Sequence, residues 1–156
     1  MTPQTKETQY QFLLELQERE GLQTLGLMSS QVWRDDPRRL GFVLARYKFV
    51  AKMLAGSRRV LEVGCADAFG TPVVRQEVPE VVATDFDPVF IEQNRLRPDP
   101  KWPVEFRVHD MLAAPLAEAF DGVRANFAAS VRAGKRPEER FHLVRIEASS
   151  KASKKL

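Results

Sequence analysis

Three short stretches hold residues whose types and spacing could do chemistry. The run Glu62-Val63-Gly64-Cys65-Ala66-Asp67-Ala68-Phe69-Gly70 is rich in small residues, follows a β-branched stretch and precedes a helix start. Small residues in such a place let the backbone approach a ligand closely and aim helix N–H groups at it. Asp85 stands 21 residues beyond Gly64, at the end of a second apolar run. A carboxylate there can accept hydrogen bonds from both hydroxyls of a ribose. A third run closes on His109-Asp110-Met111.

Other reactive groups are few. His109 is the one side chain here that ordinarily titrates near neutrality, so it is a conceivable general base, but a structural role suits it better. Cys65 reads as a small packed side chain rather than a nucleophile. With two His and one Cys in the chain, no metal-ligand spacing exists and no metal is expected. No catalytic residue is assigned.

These residues need elements to hold them. Arg59 to Val63 reads as a strand entering a tight loop, Val81 to Asp85 as a second and Val104 to Val108 as a third. Between them, Thr71-Pro72 offers an N-cap and first-turn proline for a helix through about Val78, and Asp87-Pro88 does the same for a helix through about Leu96. Strands alternating with helices predict a parallel sheet, which binds ligands at the carboxyl ends of its strands. Upstream, Leu40, Val43, Tyr47, Val50 and Leu54 share one helical face over Arg39 to Leu54, and Gly56 suits its stop. Phe12, Leu13 and Leu16 suggest an earlier amphipathic helix, Gly21 a break, and Leu22, Leu25 and Leu27 a second apolar segment. Trp33 reads as a hydrophobic plug between this N-terminal part and the domain.

The stretch from about residue 60 to 123 resembles the class I S-adenosylmethionine-dependent methyltransferases. The features carrying the resemblance are the acid and small-residue loop of 62–70, the acid Asp85 ending the second strand, the Asp110-Met111 pair and Phe120-Asp121-Gly122-Val123. The resemblance implies S-adenosylmethionine as cofactor and a small-molecule acceptor methylated on oxygen or nitrogen. It implies that Glu62 and Gly64 line the methionine end, with Cys65, Ala66 and Ala68 in the loop around the cofactor. Asp85 would hold the ribose, Phe86 would lie beside the adenine, Asp110 would accept from its amino group and Met111 would flank the ring. A nicotinamide-binding fingerprint fits less well, because it would put glycine at Ala66 and Phe69.

Two departures stand out. Ala66 and Ala68 occupy positions where the family's loop usually has glycine, and a methyl at a positive φ costs about 1–2 kcal/mol. After Val123 the family pattern stops: Arg124 to Gly134 is Ala-rich and reads as a short helix, followed by a charged turn, one strand-like alternation from Phe141 to Ile146 and a Ser/Lys tail. The expected fold is therefore α/β, a Rossmann-like doubly wound, mainly parallel sheet with N-terminal helices, incomplete relative to the family's seven strands. The expected division is a helical cap over 1–56, a cofactor-binding core over 57–123 and an atypical basic segment over 124–156. A shortened, non-catalytic relative that binds the cofactor or a partner is the alternative, and a homo-oligomer could cover the sheet edge left open.

Composition limits the remaining classes. Of 156 residues, 44% are hydrophobic and 29% charged, with a formal net charge of +3. That charge is lopsided: residues 124–156 hold nine Lys and Arg against three Glu, and residues 1–123 hold fifteen against eighteen Asp and Glu. A basic end could attract nucleic acid, but it lacks interleaved aromatic residues, so nucleic acid is not the expected partner. No apolar run reaches the ~20 residues of a membrane span. One Cys and no signal-like N-terminus point to the cytoplasm.

Overall fold

A computed structural model describes residues 3–127 and 140–144. At the centre lies β1 (Arg59–Val63), flanked by β2 (Glu80–Asp85) and then β3 (Glu105–Val108) on one side and by β4 (Gly122–Phe127) and then β5 (Arg140–Val144) on the other. The first four strands are parallel, and β5 pairs antiparallel with β4. The architecture is the Rossmann-like, mainly parallel α/β sheet that the alternating periods predict. Five strands are present among the described residues, fewer than the seven of a full fold.

The two crossover helices form where their signals stand, with one change. In α5 (Pro88–Arg95), Asp87 is the N-cap and its Oδ1 accepts from the Val89 N–H at 2.9 Å. In α4 (Thr71–Arg75), Gly70 is the N-cap instead of Thr71, and the helix ends three residues before the expected Val78. The Thr71 hydroxyl is drawn inward, donating at 2.8 Å to the buried Glu62 Oε2. A charged acceptor in the interior wins over a backbone N–H at a helix end.

The helix predicted near residues 39–54 is α3 (Arg38–Met53), which packs Tyr47, Val50 and Ala51 with Leu54 against Val60, Val74, Val78 and Val81. A second cluster joins Cys65, Ala68, Ala83 and Ile91. Ahead of these lie a 3-10 turn (Thr8–Tyr10), α1 (Gln11–Glu20), which buries no residue, and α2 (Leu27–Asp35). Trp33 does not plug an interior: it sits on α2 with 56% of its surface exposed. In the second apolar segment Leu25 is half-buried, whereas Leu22 and Leu27 are exposed.

The region after Val123 also corrects the sequence reading. Arg124 to Phe127 continue β4, in register with β1 from Val60 opposite Gly122 to Val63 opposite Ala125. Pairing with a central strand overrides the helix preference of an Ala-rich segment. The rest of the expected helix, 128–139, lies outside the described residues, as do Arg145 and the residues after it. The alternation expected from Phe141 to Ile146 is, as far as Val144, the strand β5, antiparallel to β4. The proposed boundary between 123 and 124 thus falls inside a strand.

Asp121 ties the starts of β1 and β4 together. Its Oδ2 accepts from the Arg58 and Arg59 N–H groups at 2.8 and 2.9 Å, and those two bonds hold its carboxyl below the ordinary aspartate range. A carboxyl depressed in the folded state stabilises above its unfolded pKa, and that contribution fades as pH falls through the folded one. Asp121→Ala should therefore lower the urea midpoint at pH 7, and the gap from the unsubstituted protein should narrow towards pH 3. A constant gap would contradict this.

Candidate functional site at the strand ends

The carboxyl ends of β1, β2 and β3 meet at one place. The chain leaves β1 at Gly64, whose φ of 70° lies in the left-handed region, and the N–H groups of Gly64 and Cys65 both donate to the Thr84 carbonyl, at 2.8 and 2.9 Å. Ala66 and Ala68 follow with φ of 47° and 50°. Both departures from glycine therefore stand where glycine alone is unstrained. Asn94 of α5 holds this backbone, its Nδ2 donating to the Ala66 carbonyl at 2.7 Å.

The strain has separable consequences at the two alanines. Relief of positive φ is worth about 1–2 kcal/mol, against which glycine loses about 0.5–1 kcal/mol of unfolded-state entropy. Ala66 is half-buried, so Ala66→Gly should raise stability by about 0.5–1 kcal/mol in urea titrations. Ala68 packs its methyl with Cys65, Ala83 and Ile91, and losing that contact costs about 0.8 kcal/mol, so Ala68→Gly should be nearly neutral. The reverse ranking would show that the loop is not strained as described.

Asp85 ends β2 beneath this loop with 6% of its surface exposed. One oxygen, Oδ2, accepts from the Ala66 N–H at 2.8 Å and the other, Oδ1, from the Asp87 N–H at 3.0 Å. Each carboxylate oxygen has a second acceptor direction, so the group is oriented by the backbone yet retains capacity for two hydroxyl donors. Phe86, next in the chain, is 73% exposed. The Asp85 carbonyl takes the His109 N–H at 2.8 Å, which brings the third strand end beside the second. Asp110 is exposed, its Oδ1 accepting from the Leu112 N–H at 2.8 Å, and Met111 is half-buried. Gly64, Ala66, Asp85, Phe86 and Asp110 thus belong to one strand-end region. The His109 ring is occupied locally, with Nε2 at 2.9 Å from the Ala114 carbonyl.

Glu62 is placed differently. It is 1% exposed and faces inward, where Oε1 accepts from the Tyr47 hydroxyl at 2.8 Å and pairs with Arg124, while Oε2 takes the Thr71 hydroxyl. Glu62 and Arg124 are register partners on adjacent strands. The Arg124 guanidinium also lies 3.6 Å from the centroid of the Tyr47 ring. Burial opposes the guanidinium's charge, but the adjacent Glu62 holds its pKa above the ordinary value. Burial, reinforced by the Glu62 charge, pushes the Tyr47 hydroxyl far up, so it serves as a donor. Gly70 leaves room for this arrangement, because a Cβ there would overlap the Tyr47 ring. Sequence reading missed Arg124 altogether; the available signal was a lone charge in the alternation Gly122-Val123-Arg124-Ala125.

Cys65 is buried, and burial followed by the charges of Glu62 and Asp85 pushes its thiol well above the usual range. It is a packing residue of the loop, not a thiolate. Asp67 turns outward to α2, where its Oδ2 accepts from the Ser29 N–H at 2.6 Å. Gly26, at the N-cap, permits that contact, since a Cβ there would overlap the Asp67 side chain. Among the described residues no three His, Cys, Asp or Glu side chains gather as a metal site, and no helix is long and apolar enough to cross a membrane.

Comparison with known proteins adds a family. The family described as "Methyltransferase domain" matches residues 61–139. Among solved structures, the N-methyltransferase NodS from Bradyrhizobium japonicum WM9 is 21% identical, with 57% of this chain and 49% of that chain covered at a TM-score of 0.47. The amino pentose methyltransferase CalS10 from Micromonospora echinaspora, with S-adenosylmethionine bound, is 21% identical over 74% of this chain and 48% of that one, at a TM-score of 0.48. The chain spans about half the length of these two proteins. No curated protein matches it.

Proposed function

The chain belongs to the methyltransferase domain family, and from that premise we propose that its strand-end region binds S-adenosylmethionine for methyl transfer to a small-molecule nitrogen or oxygen. The observation that carries this reading is Asp85: a carboxylate held by two backbone N–H groups, beside an exposed aromatic ring and under a tight loop. Its two oxygens would accept from the ribose hydroxyls, with Phe86, Asp110 and Met111 around the adenine. Gly64, Cys65, Ala66 and Ala68 would supply backbone to the loop at the methionine end.

Bound there, S-adenosylmethionine would supply an electrophilic methyl group, the carbon–sulfur electron pair would leave with sulfur as S-adenosylhomocysteine, and the acceptor's proton would pass to water. What remains for the chain is to hold the two reactants in line and exclude water. In this proposal Glu62 acts as a positioning residue, fixing Tyr47, Thr71 and Arg124 under the loop without touching ligand. The N-terminal helices over 1–56 would cover the acceptor.

Isothermal calorimetry with S-adenosylhomocysteine tests the binding step. One-to-one binding at micromolar to sub-millimolar concentrations is expected, and no heat at millimolar ligand would overturn the proposal. A second reading, a cofactor binder without turnover, is favoured by the strained alanines at both loop positions. Incubation with methyl-labelled cofactor and a panel of small amines and alcohols separates the two. Homo-oligomerisation through a free sheet edge belongs to that second reading, and light scattering measures it.

A further inference from the structure

A cavity of about 550 Å³ lies away from the strand ends, between α4, α5, the link of 98–103 and the strap of 23–25. Gly64, Asp85, Phe86, Asp110 and Met111 do not line it; Asp67, Ala68 and Phe69 are the wall it shares with the loop. Pro98, Pro100 and Pro103 keep that link extended, and the Asp99 carboxylate accepts from the N–H groups of Lys101 and Trp102 at 2.9 and 3.2 Å, fixing the turn that carries Trp102. The floor and walls are apolar and aromatic, with Phe69, Pro72, Trp102, Val104 and Phe106. Its size is that of a small-molecule site, ~300–1,000 Å³.

Two arginines and two aspartates line it. Arg95 and Arg97 are both anchored on neutral acceptors. Arg95 donates to the Phe106 carbonyl at 2.6 Å, and Arg97 donates to the Asp67 carbonyl at 3.1 Å and to Asn94 Oδ1 at 2.7 Å. Lys101 places its ammonium 5.4 Å from the Trp102 ring centroid. The two carboxylates of the lining are held by backbone N–H groups, Asp67 by that of Ser29 and Asp99 by those of Lys101 and Trp102. Arg95 is the exposed cation of the lining, and beside an aromatic wall it suits a flat ring with a negative substituent.

We propose that this cavity is a binding site for a planar aromatic molecule bearing one anionic group, with its ring against Trp102 and Phe106 and its charge towards Arg95. The test uses the full chain carrying Trp33→Phe, which leaves Trp102 as the sole tryptophan reporter. Naphthalenesulfonate should quench Trp102 saturably, and neutral naphthol should bind at least about tenfold more weakly. Arg95→Gln, a change at an exposed side chain, should erase most of that preference, and Val104→Phe should weaken both probes by filling the cavity. The proposal is overturned by absence of saturable quenching up to about 5 mM sulfonate, or by a sulfonate affinity that Arg95→Gln leaves within about twofold. Complete competitive displacement by S-adenosylhomocysteine would place the probe at the strand ends and overturn it equally.

Discussion

Arg124→Met is expected to destabilise the protein by about 3–5 kcal/mol, the cost of leaving a buried carboxylate without its partner. The pair that it breaks is almost wholly enclosed, with Glu62 and Arg124 side by side on the two central strands and Tyr47 stacked on the guanidinium. Much of that loss is desolvation of the orphaned Glu62, not the net value of the ion pair. Glu62→Gln combined with Arg124→Met should therefore recover most of the stability. Glutamine keeps an oxygen for the Tyr47 hydroxyl and offers an N–H to Thr71, so both hydroxyls remain satisfied. Urea denaturation of the two single variants and the double variant measures the coupling. A loss below about 1 kcal/mol in Arg124→Met would mean that water reaches Glu62.

Asp85→Ala should weaken S-adenosylhomocysteine binding by at least about 100-fold, measured by calorimetry. Two hydrogen bonds from a carboxylate to hydroxyls are worth about 1.5–3 kcal/mol each, and each 1.4 kcal/mol is tenfold in affinity. The substitution also frees the N–H groups of Ala66 and Asp87 that the carboxylate now orients. Asp85→Asn separates those contributions: it can still accept from one N–H while losing the charge and one acceptor oxygen. Its affinity should fall between the other two. An Asp85→Ala protein that folds and binds within about threefold of the original would remove Asp85 from the site.

The legible part of the molecule was its locally encoded part. The strands β1 to β3, the capping of α5 by Asp87 and the tight loop after β1 are all written in residues adjacent in the chain. Asp85 was legible for a related reason, since one strand–helix–strand unit fixes its distance from Gly64. The fate of Glu62 was not, because it is decided by a partner 62 residues away. Arg124 itself could not be placed from its neighbours: Ala125, Ala128 and Ala129 favour a helix, and pairing with β1 and β5 makes Arg124 to Phe127 a strand. Thr71 was misread for the same reason, having exchanged a local cap for that distant carboxylate. Trp33 went the other way, as a large apolar side chain whose burial depends on a surface that α2 does not offer it.

The Asp67–Ser29 hydrogen bond joins two equilibria into one. Asp67 belongs to the loop after β1 and Ser29 to α2, so docking of α2 and the conformation of that loop meet in one bond, and Gly26 is the residue whose bare Cα leaves room for it. By thermodynamic reciprocity, any ligand that favours the ordered loop raises the docking constant of α2 by the factor by which a docked α2 raises that ligand's affinity. A side chain introduced at position 26 would overlap that of Asp67 and so weaken the linkage between the two.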